Sequence, residues 1–211
     1  MLRGDATVFA DDLTGAAECG GAIWSAGLAV SLLPAGREAP RVRGGTWVID
    51  TDTRLCSANR AAETLLNRFR AVGAPRNRLF KKVDSLLRGS VVAECVALAV
   101  AARKKRILLV PGNPAHGRTV ASGVYRVHGV PLDRTPFALD PHHPARSARV
   151  IDLLGPAPAD WPFAIVRFGD VLPRRGLIVG ETSDEDDLPR WSLVADDATL
   201  PAGSAAFLRA C

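Results

Sequence analysis

The sequence predicts an α/β protein with a mostly parallel, Rossmann-like sheet, helices on both faces and a small β-hairpin excursion. Short apolar runs alternate with longer segments of helical periodicity, which is typical of strands joined by crossover helices. Polar clusters directly follow four of the apolar runs, as happens where parallel strands end at a binding crevice. The 211 residues are 47% hydrophobic and 23% charged, which suits one globular domain over 1–211.

In the first half of the chain, predicted strands alternate with helices. "TGAAECGGAIWSAG" at 14–27 predicts a helix that ends at Gly27. The segment at 57–73 begins with a Ser that can cap a helix and ends at Gly73. Residues 34–45, rich in Pro, Gly and Arg, predict a surface loop. The predicted strands are 6–10, 28–33, 46–50, 78–83 and 106–111, and a third, apolar helix covers 91–103.

Beyond residue 111 the pattern changes. "GVYRVHGVPL" at 123–132 predicts a hairpin or edge ribbon, and a helix at 145–155 follows it. Pro189 in "SDEDDLPRW" predicts that the helix there is short. Two further strands are predicted at 163–168 and 175–180, and "LPAGSAAFLRAC" at 200–211 predicts the start of a last helix.

The composition excludes several classes of function. The net charge is +5, but the only dense basic cluster is "RKKR" at 103–106, which we interpret as cations at a helix end. Aromatic residues make up 6% and do not alternate with basic residues, so nucleic acid is not an expected partner. No run approaches 18 apolar residues, so no membrane span is expected. Acids near the N-terminus replace the apolar core of a signal peptide, which favours a cytoplasmic protein.

The cysteines carry little functional signal. Cys19, Cys56, Cys95 and Cys211 lie far apart and show no CxxC spacing. We therefore expect reduced thiols, with neither a disulfide framework nor a metal cluster.

Four polar clusters follow predicted strands. They are Asp11–Asp12, "DTDTR" at 50–54, "KKVDSLLRG" at 81–89 and "PGNPAHGR" at 111–118. Because the carboxyl ends of parallel strands lie at one edge of the sheet, these clusters should meet in one crevice.

The residue types in this crevice suit a small polyhydroxylated acid. Cationic side chains can hold a carboxylate or phosphate, and arginines do so as planar forks. Carboxylates can accept hydrogen bonds from sugar hydroxyls, take a proton or bind Mg²⁺. A helix beginning at Thr14 and Gly15 would add backbone N–H groups for an anion. The cations are Arg54, Lys82 and Arg88, and the carboxylates are Asp11, Asp12, Asp52 and Asp84.

Each cluster also has a simple structural interpretation. Asp11–Asp12 and Asp84–Ser85 could each cap a helix. The lysines at 81–82 could be a solvated strand end with one side chain pointing away, and "GNPAHGR" could be a turn in which His116 is only hydrogen-bonded. His142 and His143 in "DPHHP" have no acid or Cys at ligand spacing, so we interpret them as loop residues and assign no metal site.

Taken in order, the motifs resemble the four-carbon acid sugar kinase family. The matching stretches, spread over roughly 5–208, are "FADDLTGAAECG", "DTDTR", "KKVDSLLRGSVVAE", "VPGNPAHGRTVASGVYRVHGVPLDRTPFALDPHHPAR" and "ETSDEDDL". The resemblance implies phosphorylation of a threonate-, erythronate- or 3-oxo-tetronate-like acid with ATP and Mg²⁺. It also implies two domains, of which this chain is the N-terminal, sugar-binding one.

Site residues follow from the matched motifs. Asp12 is the expected general base, with Asp84 as the second choice. The implied substrate contacts are Asp11, Asp12, Arg54, Lys82, Asp84, Ser85 and Arg88, and, with a looser match, Asn113, His116 and Arg118.

The sequence lacks what would bind a nucleotide. No P-loop and no GxGxxG motif occurs, and the resemblance implies that a C-terminal nucleotide-binding domain, as in family members, is not part of this chain. We therefore expect this chain alone to bind neither ATP nor Mg²⁺ and to show no turnover. A separately encoded nucleotide-binding domain would then be a partner, alongside the sugar acid. The alternatives are a stand-alone hydroxy-acid binding module and a non-functional truncated remnant.

Overall fold

The computed structural model describes residues 5–38, 40–41, 44–73 and 78–211. Part of the predicted loop at 34–45 lies outside these residues. No helix in the described ranges is long and apolar enough to cross a membrane.

Most strands of the described chain form one parallel sheet. Eleven strands lie within the residues that the structure describes: β1 (Thr7–Ala10), β2 (Val30–Leu33), β3 (Thr46–Asp50), β4 (Leu79–Lys82), β5 (Arg106–Val110), β6 (Arg118–Ala121), β7 (Val124–Val127), β8 (Val130–Pro131), β9 (Phe163–Val166), β10 (Gly176–Gly180) and β11 (Thr199–Gly203). Eight of them lie in the order β2-β3-β1-β4-β11-β5-β10-β9, and every recorded pairing in this sheet is parallel. Strands β6, β7 and β8 form a separate antiparallel sheet. The predicted fold class is confirmed.

Helices cover both faces of the parallel sheet. The described ranges contain six α-helices, namely α1 (Leu13–Ser25), α2 (Ala58–Val72), α3 (Val91–Ala101), α4 (Val150–Leu154), α5 (Asp187–Leu193) and α6 (Ala205–Ala210). One core joins sheet residues to α1, α5 and α6, through side chains such as Ile23, Trp191 and Phe207. The other joins the opposite sheet face to α2, α3 and the antiparallel sheet, through side chains such as Leu65 and Tyr125.

Helices α1 and α2 differ in how they pack. The buried face of α1 consists mostly of small residues, including Gly15, Ala16 and Cys19, which permits close approach to the sheet. Helix α2 instead buries Leu65, Phe69 and Val72, a helical spacing that presents one apolar stripe. It ends as predicted at Gly73, whose φ of 62° is left-handed.

The central strand β11 was not predicted from the sequence. We expected a helix to start within 200–211, but residues 199–203 pair with β5 over their full length and with β4 at Ala202 and Gly203. Pro201 weighs against a central strand because proline donates no ladder hydrogen bond. Pro201 lies in the part of β11 that pairs with β5 and has no recorded pairing with β4, and a proline is tolerated there. The helix begins only at Ala205, capped by Ser204.

The predicted helix at 145–155 is shorter than expected, because α4 covers only 150–154. The preceding residues pair with β7 instead: the N–H of Tyr125 donates to the carbonyl of Ala148, and Val124 forms a bridge with Arg149. The predicted hairpin at 123–132 exists as β7 and β8 but has β6 as a third strand. Helix α5 is short as predicted and tolerates Pro189 in its first turn.

The basic cluster at 103–106 lies beyond the helix rather than in its last turn, since α3 ends at Ala101. Two of its side chains contact residues that directly precede strand β11. Lys104 Nζ donates to the carbonyl of Asp197, and the guanidinium of Arg106 pairs with Asp196 at 2.7 Å. The four cysteines are unpaired thiols, as predicted, and burial raises the pKa of Cys19 and Cys95 to about 12.

Candidate functional site

Three polar clusters leave neighbouring strands at the same level of the sheet. The register pairs Ala10, the last residue of β1, with Asp50 of β3 on one side and Lys82 of β4 on the other. The segments that follow these three residues therefore begin side by side. The backbone N–H groups of Thr53 and Arg54 both donate to the carbonyl of Asp11 (2.9 and 3.1 Å), which holds the first two clusters together.

Arg54 binds both adjacent aspartates. Its Nε and Nη2 atoms donate to the two oxygens of Asp11 at 2.8 and 3.0 Å. Its Nη1 and Nη2 atoms donate to the two oxygens of Asp12 at 2.6 and 2.8 Å. Although burial lowers the pKa of Arg54, the hydrogen bonds and charges of these acids outweigh it, so the pKa is raised and the guanidinium stays charged.

The two aspartates differ in exposure. The side chain of Asp11 is 2% exposed and that of Asp12 is 22% exposed. Asp12 also caps α1, because its Oδ1 accepts from the N–H of Gly15 at 2.8 Å. Asp12 therefore caps the helix and also takes part in the Arg54 cluster. The side chain that remains accessible beside Arg54 is that of Asp12.

A second ion-pair group follows β4. Both oxygens of Asp84 accept from the guanidinium of Arg88 at 2.9 Å, and Oδ2 also accepts from the N–H groups of Leu86 and Arg88. Arg54 Nη1 lies 3.7 Å from Asp84 Oδ1, which connects the two groups. Although burial raises the pKa of Asp84, the hydrogen bonds and charge of Arg88 outweigh it and lower the pKa.

The lysines at the end of β4 point to opposite faces of the sheet. Lys82 lies on the α1 side, where its Nζ donates to the carbonyl of Val83 and is 3.6 Å from Glu18. A Cβ atom at Gly15 would lie 3.2 Å from this nitrogen. Lys81 is fully buried on the other side and pairs with Glu94 at 3.5 Å. Neither lysine is a solvated strand end.

The loosely matched residues form a second group. Arg118 Nη1 donates to the hydroxyl of Ser85, and the phenol of Tyr125 donates to the carbonyl of Ser85. The antiparallel sheet thus supports the loop after β4. Asn113 and His116 contact each other at 3.2 Å. Asp52 is exposed, and the cluster's hydrogen bonds go instead to Asp11, Asp12 and Asp84.

Asp140 belongs to the site and was missed by the sequence analysis. It accepts from Arg88 Nη1 at 2.9 Å and from the N–H groups of His142 and His143. These backbone bonds, followed by the bond from Arg88, lower the pKa of Asp140 to about 2. Its place directly before Pro in "DPHHP" could have marked Asp140 as a candidate site residue. No strand directly precedes it, however, so its position at the sheet edge could not be predicted from strand ends.

Two cavities border the arginines of the site. One of about 420 Å³ is lined by Arg88, His142, His143 and Arg146 among others. The second, about 670 Å³, is lined by His116, Arg118, His128 and Arg134 among others. Donors on Arg88 and Arg118 can therefore meet a ligand from open space.

The carboxylates of this site do not fit a Mg²⁺ ion as they are arranged. The oxygens of Asp11, Asp12 and Asp84 accept from guanidinium groups, which supply the positive charge that a metal would otherwise supply. Among the described residues, no group of three or more His, Cys, Asp or Glu side chains is placed to hold a metal ion.

Comparison with known proteins places this geometry in a family. The model of the sugar-binding N-terminal domain family matches residues 6–161. A D-threonate kinase of Bordetella bronchiseptica is 37% identical over 214 residues, which cover 93% of this chain and 52% of that protein. A D-erythronate kinase of Heliobacterium modesticaldum is 30% identical over 197 residues, which cover 91% of this chain and 45% of that protein. The chain thus spans about half the length of these relatives.

A solved structure has the same fold. It is a protein of Bordetella bronchiseptica with a domain of unknown function, crystallised with bound citrate as a domain-swapped dimer. The TM-score is 0.80 at 29% identity, over 97% of this chain and 54% of that chain. The chain belongs to the sugar-binding N-terminal domain family, and its curated relatives are four-carbon acid sugar kinases.

Proposed function

We propose that this chain is the substrate-binding domain of an ATP-dependent kinase that phosphorylates a four-carbon sugar acid of the threonate, erythronate or 3-oxo-tetronate type. The observation that carries the proposal is the cluster in which Arg54 holds Asp11 and Asp12 beside Asp84 at one sheet edge. The D-threonate and D-erythronate kinases among the relatives support the choice of substrate class.

A hydroxyl group of the acid binds Asp12 in this proposal. A carboxylate offers about four acceptor positions, and Arg54 and the N–H of Gly15 use three of those on Asp12, so about one remains for a hydroxyl donor. Among the three central aspartates, Asp12 has the most exposed side chain, at 22% against 2% for Asp11 and 7% for Asp84. Lys82 and the first turn of α1 lie next to it, as the spacing around Gly15 indicates.

The carboxylate of the acid binds Arg118 in this proposal, whereas Arg88 stays paired with Asp84 and Asp140. An arginine has five N–H donors, and four hydrogen bonds to Asp11 and Asp12 leave Arg54 almost fully used. Within the described chain, the recorded side-chain bond of the Arg118 guanidinium is the single one to Ser85. This proposal changes our expectation for Arg54, which orients carboxylates rather than holding the substrate's own.

Asp12 is the proposed general base. In the kinase reaction, a hydroxyl oxygen of the acid attacks the γ-phosphorus of ATP, ADP leaves, and the hydroxyl proton passes to the base. Asp84 is less suited to this role because it is buried, both its oxygens accept from Arg88, and its lowered pKa makes it a weaker base. Its proposed role is to fix Arg88.

ATP and Mg²⁺ are bound by a nucleotide-binding domain outside residues 1–211 in this proposal, so this chain alone gives no turnover. Supporting this division, the central aspartates are occupied by guanidinium groups, and the curated relatives are about twice as long. The cytoplasm, where ATP is available, is the proposed location.

Isothermal titration calorimetry with D-threonate, D-erythronate and the neutral polyol D-threitol tests the binding proposal. We expect saturable binding of at least one acid and much weaker binding of the polyol, because only the acid has a carboxylate for Arg118. Absence of heat with every acid at millimolar concentration, for a chain shown by circular dichroism to be folded, would refute the proposed function.

One observation favours the alternative of a stand-alone binding module. Helix α6 buries Phe207 and Leu208 against the sheet and exposes Arg209, so this segment already packs on the described domain. Adding a purified nucleotide-binding domain from a related kinase, with ATP, Mg²⁺ and D-threonate, separates the two functions. ADP formation is expected for a kinase domain, and its absence despite measured threonate binding would favour the binding module.

A further inference from the structure

A chain of buried polar residues lies under the site, on the sheet face opposite α1. Lys81 is 0% exposed, and its Nζ is 3.5 Å from Glu94 Oε2 and donates to the carbonyl of Lys82 at 2.8 Å. Burial lowers the pKa of Lys81, but the charges of Glu94 and Asp11 outweigh this and raise it. Burial also raises the pKa of Glu94. The proposed binding and catalytic steps use neither side chain.

Thr53 connects this pair to the site. Its hydroxyl donates to Glu94 Oε1 at 2.7 Å, while its backbone N–H donates to the carbonyl of Asp11 at 2.9 Å. The hydroxyl of Thr51, 2.7 Å from that of Thr53, donates to the carbonyl of Ala10 at 2.8 Å. Thr53, the residue before Arg54, therefore connects helix α3 and strand β4 to the backbone of Asp11.

Stability alone does not explain such a network. Removing two charges from water is costly, and well-packed apolar residues in place of a buried ion pair are often equally stable. A satisfied buried network does, however, fix one geometry. The position fixed here is that of the backbone from which the Arg54 guanidinium reaches four carboxylate oxygens.

We infer that Lys81, Glu94 and Thr53 are positioning residues, which set Arg54 so that it presents Asp12 to the ligand. None of the three needs to touch the substrate. The inference rests on the proposed function for its ligand probe, D-threonate, but not for the geometry that it explains.

The first test compares two substitutions that each remove a buried threonine hydroxyl. In Thr53→Val the bond to Glu94 is lost. In the control Thr199→Val, at the opposite end of the sheet, the hydroxyl lost is the one that accepts from Arg106 and donates to Asp196. Calorimetry with D-threonate is made under conditions where urea titration shows each variant folded. We expect Kd to rise at least about tenfold for Thr53→Val and to stay within about twofold for Thr199→Val, because misplaced site groups reduce affinity steeply.

Rescue separates positioning from general stability. Thr53→Ser keeps the hydroxyl and is expected to restore most of the affinity, even if it unfolds at lower urea concentration than the original chain. Equal Kd values for Thr53→Val and the original chain would overturn the inference. If Thr53→Val does not fold, Thr53→Ala against Thr199→Ala gives the same comparison.

A second measurement needs no ligand, so it judges the inference even if the proposed function fails. The Nε–H of Arg54 is bonded to buried Asp11 and should give a slowly exchanging NMR signal. Thr53→Val is expected to shift this signal and speed its hydrogen exchange, whereas Thr199→Val should leave it unchanged. An unaltered Arg54 signal in Thr53→Val would refute the positioning role. Absence of threonate binding in the original chain would instead refute the proposed function.

Discussion

At the scale of single residues, the site is a set of charges that already satisfy one another. Arg54 binds Asp11 and Asp12, while Arg88 binds Asp84 and Asp140. Removing one partner of such a group leaves the other unpaired, which costs more than the pair contributes. We therefore interpret these arginines as the framework of the site and expect selectivity for the acid to depend on Arg118.

Asp84→Asn should lower stability in a pH-dependent way. Because the folded pKa of Asp84 lies below its usual value of 3.8, its contribution is present above about pH 4 and disappears as pH falls through the folded pKa. We expect the free energy of unfolding of the variant to be about 2 kcal/mol lower than that of the original chain at pH 7. This difference should become smaller below pH 4. Urea unfolding at pH 7, 4.5 and 3 measures this, with the exposed Asp133→Asn as control. A gap that is constant with pH would contradict the Asp84–Arg88 assignment.

Arg118→Met should remove selectivity for the acid. The substitution keeps an unbranched side chain but deletes the donors, and hydrogen bonds to charged groups contribute about 1.5–3 kcal/mol. Affinity for D-threonate should fall about 10- to 100-fold, towards that of D-threitol. Asp12→Asn, in contrast, should weaken both ligands. Calorimetry of the two variants with both compounds checks this, and a retained preference for the acid in Arg118→Met would show that another cation holds the carboxylate.

At the scale of elements, the first turn of α1 leaves no room for a side chain at Gly15. A Cβ at Gly15 would lie 2.7 Å from Asp12 Oδ1 and 3.2 Å from Lys82 Nζ, whereas one at Gly21 in the same helix would meet no atom within 4 Å. Glycine in a helix ordinarily costs about 1 kcal/mol relative to alanine. The glycine at 15 is explained by the close approach of two site residues.

Gly15→Ala and Gly21→Ala should therefore separate stability from binding. We expect Gly21→Ala to raise the free energy of unfolding by up to about 1 kcal/mol and leave affinity unchanged. Gly15→Ala should displace Asp12 or Lys82 and weaken D-threonate binding at least about tenfold. Thermal unfolding and calorimetry on both variants measure this. Similar affinity for the two would mean that the first turn of α1 does not shape the site.

The elements themselves were predictable where local signals agreed. The Ser57 and Gly73 boundaries of α2 and the apolar runs of β1, β3, β4 and β5 were recognised from the sequence because burial and turn residues coincide there. The Ser57 side chain itself makes no capping hydrogen bond. Strand β11 was missed because Pro201 and the following small residues favour other structures locally. Its insertion between β4 and β5 depends on sheet pairing far along the chain, which local patterns do not record.

At the scale of the whole molecule, parallel topology allowed the site's location to be predicted, while its internal pairing was not predictable. Asp12, Arg54 and Asp84 meet because β1, β3 and β4 are neighbours that end at one level. The sequence could not show that Arg54 would bind aspartates rather than a ligand, because either satisfies a guanidinium. Nor could the sequence show that Lys81 is buried with Glu94, because nothing in two adjacent lysines indicates which of them pairs with an acid.

The proposed division between two domains predicts that ligand binding does not require turnover. The chain alone, incubated with ATP, Mg²⁺ and D-threonate, should form no ADP above a protein-free control, because the proposal assigns the nucleotide to groups outside residues 1–211. A coupled ADP assay measures this, with a full-length D-threonate kinase as positive control. ADP formation that Asp12→Asn abolishes would overturn the proposed division.

The central claim is that side chains from three strand ends form one site for a four-carbon sugar acid. A crystal structure of the chain grown with D-threonate tests it most directly. We expect a hydroxyl oxygen at about 2.6–3.2 Å from Asp12, the carboxylate on Arg118, and the bonds from Arg54 to Asp11 and Asp12 intact. Density for the acid at another part of the surface, with the Asp12–Arg54 cluster free of ligand, would contradict the account.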